Sequence, residues 1–264
     1  MTKLNDYHTK HIERIGEINI NHQGCEMKII EYNNSNNIVV EFQDKYRANI
    51  ITNYHAFCCG SVNNPYFPTV FGVGYLGQGK YKGFIGHNEA KIEYKYWHSM
   101  MRRCYSKLYI EKTPSYKTCY VCDEWHNFQN FAKWFDENYY EVDDCYKMNL
   151  DKDIIQNGNR IYCPEFCCFI PNNINMLFRP EDLKKKNNLP GAKRIKNSTK
   201  YEANICKNGR RVYIGTFDTE YEAYMAYVNE KEKYIKIIAE KYKNHIPHQI
   251  YSIMINYKIT PIEQ

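Results

Sequence analysis

Two aspartates that flank a lysine have the side-chain type and the spacing to bind a divalent cation. Asp151, Lys152 and Asp153 open a segment in which two strands and a short helix are expected. Cleavage of a phosphodiester needs a cation to polarise the phosphate and a base to activate water. A strand–strand–helix unit can bring an acid, a histidine and an asparagine around one such ion. Taken alone, the same two aspartates also fit surface acids beside a turn.

Cysteine spacing permits a second kind of metal site. The two-residue spacer between Cys119 and Cys122 lets both thiolates reach one ion, and Cys163 and Cys167 follow with a three-residue spacer. These four residues could hold a structural Zn²⁺. The other interpretation is free thiols, because the 11 cysteines are odd in number and no secretory signal is recognisable, which predicts a reducing compartment.

Positive charge is concentrated in one segment of the chain. Residues 184–211 contain ten basic residues and one acid, a net charge of +9, whereas the rest of the chain has 26 basic and 29 acidic residues. Such concentration is the electrostatic footprint expected of a module that binds a polyanion. A solvated basic linker would have the same composition.

Hydrophobic spacing predicts the elements that precede these residues. Short β-branched runs in residues 16–62 predict a small antiparallel barrel or sheet. A glycine- and proline-rich connector follows. Apolar residues at helical spacing then predict two helices. The stripe of the first is Ile92, Tyr96, Met100 and Cys104, and that of the second is Trp125, Phe128, Ala132 and Phe135.

The segment that carries the two aspartates is expected to form a β-β-α unit. After Cys145 the pattern predicts a strand, a turn at residues 156–159 and a second strand. A short helix is expected to begin near Pro171, since proline is favoured at the start of a helix. The acids would then lie at the end of the first strand.

The C-terminal part is expected to form three strands and one helix. Asn208-Gly209 is a hairpin signal, and Thr219 followed by Glu222 has capping-box spacing. Period-two alternation predicts two different faces along the third strand. One is basic and aromatic and the other apolar: Arg211, Tyr213 and Gly215 against Val212, Ile214 and Thr216.

Residues 211–219, RVYIGTFDT, with Ala223 and Ala226-Tyr227 after them, resemble the ethylene-response-factor-type DNA-binding domain. The resemblance covers about residues 190–230 and implies a three-stranded sheet that reads the major groove of double-stranded DNA. Tyr213 stands where the plant proteins usually carry tryptophan, and Cys206 replaces an arginine, so base specificity does not carry over. The candidate DNA-binding residues are Lys193, Arg194, Lys196, Asn204, Arg210, Arg211 and Tyr213.

Residues 97–178 resemble HNH-type nucleases encoded by phages, through residues 101–105, MRRCY, residues 121–125, VCDEW, and Asn127-Phe128. The resemblance implies that Asp151 and Asn175 hold Mg²⁺ or another divalent cation. Lys152 occupies the place of the general-base histidine in that family.

The lysine leaves three alternatives for catalysis. Asp153 could serve as a substitute ligand or base, or a histidine, His126 or His98, could come from the preceding helices. The unit could also have lost catalysis and serve as a DNA-binding scaffold. The candidate catalytic residues are therefore Asp153 and His126.

The sequence as a whole predicts an α+β chain with several modules. These are a β module in residues 1–64, a connector in 65–89, an HNH-like nuclease module with flanking helices in 90–183, and a DNA-binding domain with a C-terminal helix in 184–264. No apolar run predicts a membrane span, and a cytoplasmic location is expected, in the host cell if the protein is phage-encoded. The expected function is double-stranded DNA binding with metal-dependent cleavage, as in homing endonucleases. The alternative is a non-catalytic DNA-binding regulator.

Overall fold

The protein is a mixed α and β structure, which confirms the predicted α+β class. A computed structural model describes residues 13–86, 89–142, 147–178 and 189–260. Within those ranges, none of the helices combines the length and the hydrophobicity needed to cross a bilayer.

The described elements are strands, α-helices and two 3₁₀ helices. The strands are β1 (Ile18–Ile20), β2 (Glu26–Asn34), β3 (Asn37–Phe42), β4 (Asn49–Thr52), β5 (Phe84–Ile85), β6 (Glu89–Ala90), β7 (Tyr120–Val121), β8 (Met148–Asp151), β9 (Ile161–Tyr162), β10 (Cys168–Pro171), β11 (Ala192–Arg194), β12 (Tyr201–Lys207) and β13 (Arg210–Phe217). The α-helices are α1 (Tyr54–Cys58), α2 (Ile92–Tyr105), α3 (Lys107–Lys112), α4 (Phe128–Asn138), α5 (Asn172–Leu177), α6 (Glu220–Tyr242) and α7 (His248–Ile255). Two 3₁₀ helices span Pro114–Tyr116 and Asp123–His126.

The chain divides into two compact units. Unit 1 contains Met1–Asn138 and Arg160–Cys163, and unit 2 contains Tyr139–Asn159 and Pro164–Gln264. Unit 2 therefore holds both the strand–strand–helix segment β8–β10–α5 and the C-terminal strands.

Unit 1 begins with an antiparallel sheet of strand order β1-β2-β3-β4. Its inner face follows the period-two alternation of β2 and β3, since Met27, Ile29, Ile38 and Val40 are fully buried. Helix α1 closes this core with Phe57. The β-rich N-terminal segment predicted from the sequence is therefore present as a four-stranded sheet.

Helix α2 buries a face that differs from the predicted stripe. Ile92 is 42% exposed, and the buried residues are Glu93, Trp97, Met100, Met101 and Cys104. Residues four apart advance about 40° around a helix at each step, so Ile92 lies about 120° from Cys104. The buried face is therefore set by spacings of three and four, and Ile92 does not belong to it.

The second predicted helix is confirmed. The chain forms the 3₁₀ helix Asp123–His126 and then α4, and the expected residues Trp125, Phe128, Ala132 and Phe135 are all buried. The Trp97 indole N–H donates to the Trp125 carbonyl at 2.7 Å, which joins α2 to this segment.

The segment with the two aspartates contains the predicted strand and helix, but its second strand lies elsewhere. β9 follows the turn as expected, yet it pairs with β7 in parallel, and β8 pairs instead with β10 in antiparallel register. β9 ends at Tyr162, and Pro164, two residues later, has no N–H with which to extend the ladder. Helix α5 then begins immediately after Pro171, as the sequence predicts.

The C-terminal strands form an antiparallel sheet of order β11-β12-β13, and α6 packs against it. Asn208 and Gly209 both have positive φ angles, 49° and 74°, as the predicted tight hairpin requires. Gly191 has a φ of 74° and lies against the Tyr227 ring of α6, where a Cβ atom would collide with the ring. Glycine at this position lets the sheet and the helix approach each other closely.

The N-terminus of α6 has the capping box predicted from the sequence. The Thr219 hydroxyl accepts from the Glu222 backbone N–H at 3.1 Å, and the Glu222 carboxylate accepts from the Thr219 N–H at 3.1 Å. We expect Thr219→Ala to lower the free energy of unfolding by about 1 kcal/mol, because it removes the cap. Urea denaturation followed by circular dichroism measures the loss. Thr199→Ala, in an exposed turn, is the control, and equal effects of the two changes would contradict this role for the cap.

Candidate nucleic-acid interface

A β-bulge determines which residues face outward on the C-terminal sheet. Asn204 pairs with Tyr213, and Ala203 pairs with Gly215, so Ile214 is an extra residue on β13. The alternation on β13 therefore reverses after Tyr213. The prediction that Gly215 shares a face with Arg211 is wrong, and Thr216 joins the outer face instead, where its hydroxyl lies 2.7 Å from the Tyr213 hydroxyl.

The face opposite α6 carries four of the candidate DNA-binding residues. Direct cross-strand partners share a face of a sheet, so the pairs Lys193 with Glu202, Asn204 with Tyr213, and Cys206 with Arg211 place these side chains together. Tyr213 is 59% exposed. We call Lys193, Glu202, Asn204, Cys206, Arg211, Tyr213 and Thr216 the outer face.

The other three candidate DNA-binding residues lie elsewhere. Arg210 pairs with Lys207, whose ammonium reaches Glu230 of α6 at 2.6 Å, so Arg210 belongs to the side that the helix covers. Arg194 pairs with Tyr201 on that same side, and its Nε donates to the Ser198 carbonyl at 3.3 Å. Lys196 is exposed in the turn between β11 and β12. Strand alternation therefore separates Arg194 and Arg210 from the outer face, and the turn separates Lys196 from it.

Asn204 carries a polar atom with no internal partner. Its side-chain Nδ2 is shielded from solvent and has no hydrogen-bond partner in the part of the chain that the structure describes. A shielded donor without an acceptor costs about 1 to 3 kcal/mol. A bound molecule could reach this donor only after the Asn204 side chain turned outward.

One acid interrupts the positive charge of the outer face. The Glu202 carboxylate lies 2.7 Å from an Arg211 guanidinium nitrogen and 3.9 Å from the Lys193 ammonium. Sequence reasoning did not single out Glu202 as functional. The signal was present, because the alternation that turns Asn204 outward also turns Glu202 outward.

The loop after β8 is organised around Asp151 and Lys152. Asp151 Oδ1 accepts from the backbone N–H groups of Asp153 and Ile154 at 2.8 and 2.7 Å, which is an Asx turn. Burial raises the pKa of Asp151, against the lowering effect of these two hydrogen bonds. The carboxylate is therefore already used to shape its own loop.

Lys152 points inward and binds the other acid. Its ammonium donates to both Asp153 carboxylate oxygens at 2.8 Å and to the Asn159 carbonyl at 2.7 Å. The Asn159 side chain in turn donates to the Lys152 carbonyl at 2.9 Å. Both Lys152 and Asn159 are buried, at 6% and 8% exposure, so a positive charge is fixed within this loop.

Asn175 lies half-buried on α5, which follows β10 directly. The neighbouring Asn173 donates to the Tyr242 hydroxyl at 2.6 Å and so ties α5 to the end of α6. This bond fixes α5 to the C-terminal part of unit 2.

The HNH resemblance implies Asp151 and Asn175 as cation ligands, with Asp153 as the alternative, and two of these three side chains already make contacts within the loop. Asp153 is bound by an ammonium, and one oxygen of Asp151 accepts two backbone hydrogen bonds. Over the described ranges, no set of three or more His, Cys, Asp or Glu side chains is placed to hold a metal ion. The divalent-cation site at Asp151 and Asn175 stays a prediction.

The candidate histidines belong to unit 1. His126 Nε2 lies 3.1 Å from the Val121 carbonyl and 3.2 Å from the Tyr105 hydroxyl, so its ring joins the 3₁₀ helix to β7 and α2. His98 packs against Phe71 and Tyr94, and burial lowers its pKa, with Arg102 adding to the effect. Both residues are half-buried and pack against neighbouring side chains, and a catalytic role for His126 stays a prediction.

The four candidate zinc ligands are distributed over the two units. Cys119, Cys122 and Cys163 belong to unit 1, whereas Cys167 belongs to unit 2. Cys119, Cys163 and Cys167 are buried, which is the usual environment of a structural cysteine. The zinc site stays a prediction.

Comparison with known proteins gives no relative: no family model, no curated protein and no solved structure matches the chain.

Proposed function

We propose that this protein binds double-stranded DNA through the outer face of its C-terminal sheet. The observation that carries the proposal is the placement of Lys193, Asn204, Arg211 and Tyr213 together on the sheet face that α6 leaves uncovered. An arginine and an asparagine can each make bidentate hydrogen bonds to base edges in the major groove, while lysine neutralises phosphate. The basic segment, at +9, supplies the long-range attraction.

The proposal is tested by fluorescence anisotropy with a labelled duplex of random sequence. Each phosphate contact releases counterions, so the logarithm of the association constant should fall linearly with the logarithm of the salt concentration. Binding that is absent at low salt, or that does not depend on salt, would contradict DNA binding by this face.

Metal-dependent strand cleavage is a second candidate. The order β8–β10–α5 supports it, because this order is the strand–strand–helix arrangement that the HNH resemblance implies for Asp151 and Asn175. The Lys152 ammonium opposes it, since a buried cation bound to Asp153 neither accepts a proton nor leaves that carboxylate available to a metal. We therefore favour DNA binding without cleavage.

We expect the protein to leave supercoiled DNA intact in the presence of magnesium or manganese. A nicking assay with EDTA controls measures this, run beside Asp151→Ala. Metal-dependent nicking that Asp151→Ala abolishes would instead establish an endonuclease. In that case the Lys152–Asp153 pair would have to separate during the reaction.

A further inference from the structure

An acid at the centre of a DNA-binding face is unfavourable for binding phosphate. Residues 184–211 contain ten basic residues and one acid, Glu202, whose side chain is only 28% exposed. The Arg211 and Lys193 side chains that approach it are 57% and 64% exposed. A nearby DNA phosphate and the Glu202 carboxylate would therefore compete for the same cations.

The position of the acid also determines where Arg211 points. Arg211 pairs across the sheet with Cys206, four residues further along β12 than Glu202, yet its guanidinium donates to Glu202 at 2.7 Å. The arginine side chain thus lies along the outer face instead of extending from it. A planar guanidinium held by one carboxylate has its remaining N–H donors oriented, which suits bidentate recognition.

Carboxylates have a specific use in the major groove. Glutamate accepts a hydrogen bond from the cytosine N4 amino group, and arginine donates two to guanine O6 and N7. Glu202 and Arg211 on one sheet face therefore provide the acceptor and the donors that neighbouring cytosine and guanine edges require.

We propose that Glu202 is a specificity-determining residue that reads a cytosine amino group and positions Arg211 for guanine. The inference rests on the proposed DNA binding. In this arrangement Glu202 weakens binding to random DNA, because it competes with phosphate. It strengthens the preference for a target that contains cytosine and guanine at the contacted positions.

The experiment compares wild-type protein with Glu202→Ala, because a glutamine would keep an acceptor for the cytosine amino group. Bound duplexes are selected from a pool of random 25-base-pair DNA and sequenced, and affinities for the selected and the random duplexes are then measured over a salt series. We expect Glu202→Ala to bind random DNA about three- to tenfold more tightly and to lose about tenfold of the preference at one C·G position. The salt dependence should steepen by about one phosphate contact.

Glu230→Ala is the matched control. It removes the same charge from an ion pair with Lys207, but on the side of the sheet that α6 covers, and its side chain has a similar exposure of 30%. We expect this variant to select the same sequences as wild type. Thermal melts of both variants verify folding.

The outcomes separate the inference from the proposed function. If Glu202→Ala selects the same sequences with the same preference as wild type, Glu202 does not determine specificity, although DNA binding stands. If wild-type protein does not bind the random pool at any salt concentration, the proposed function itself fails, and the inference fails with it.

Discussion

Arg211→Ala is expected to weaken binding to double-stranded DNA by at least tenfold, whereas Arg210→Ala changes it by less than threefold. The two arginines are adjacent in sequence and carry the same charge. Arg211 lies on the outer face and Arg210 on the side that α6 covers. A bidentate contact from arginine to guanine contributes about 1 to 3 kcal/mol, which Arg211→Ala would remove.

Fluorescence anisotropy with the duplex selected by wild-type protein measures both variants at one salt concentration. Because each variant loses one positive charge, a purely electrostatic mechanism predicts equal losses of affinity. Equal losses would mean that the basic segment acts through its net charge and that the outer face does not read DNA.

Much of the fold follows from local sequence signals. The hairpin at Asn208-Gly209 and the capping box from Thr219 to Glu222 are each determined by a few neighbouring residues, and the structure has both. The apolar face of α4 follows from helical spacing in the same way. Such signals are reliable because the residues that produce the geometry are adjacent in the chain.

The outer face shows where sequence reasoning stops. Alternation alone assigns every second residue of a strand to one face, but the bulge at Ile214 reverses the assignment for Gly215 and Thr216. A bulge depends on how two strands pair, and no single strand encodes it. Arg211 and Tyr213 precede the bulge on β13, so they keep the predicted placement.

The loop after β8 shows a second limit. The sequence indicates that a lysine replaces the expected histidine, and it leaves open where the ammonium points. In the structure Lys152 is buried, and its ammonium donates to the Asp153 carboxylate and the Asn159 carbonyl. These hydrogen bonds offset the cost of burying the charge. Contacts of this kind depend on a backbone carbonyl seven residues away, and residue type does not reveal them.

Because of the Lys152–Asp153 ion pair, we expect Lys152→Ala to lower the free energy of unfolding of unit 2 by about 2 to 4 kcal/mol. The variant loses three hydrogen bonds from a charged donor and leaves the Asn159 carbonyl without this partner. Breaking a fully buried ion pair costs about 3 to 5 kcal/mol, and we expect a smaller loss of stability here because Asp153 stays in contact with water. The Asp153 side chain is 51% exposed, so its charge remains hydrated.

Hydrogen exchange locates the effect of Lys152→Ala. Protection of the amides of Asp153 and Ile154, which bind Asp151, should fall together with the loss of stability. Lys193→Ala is the control, because that lysine is 64% exposed and its removal is expected to change stability by less than about 0.5 kcal/mol. If Lys152→Ala leaves both stability and exchange at wild-type values, the ammonium does not hold the loop. Asp153 would then be available for metal-dependent cleavage.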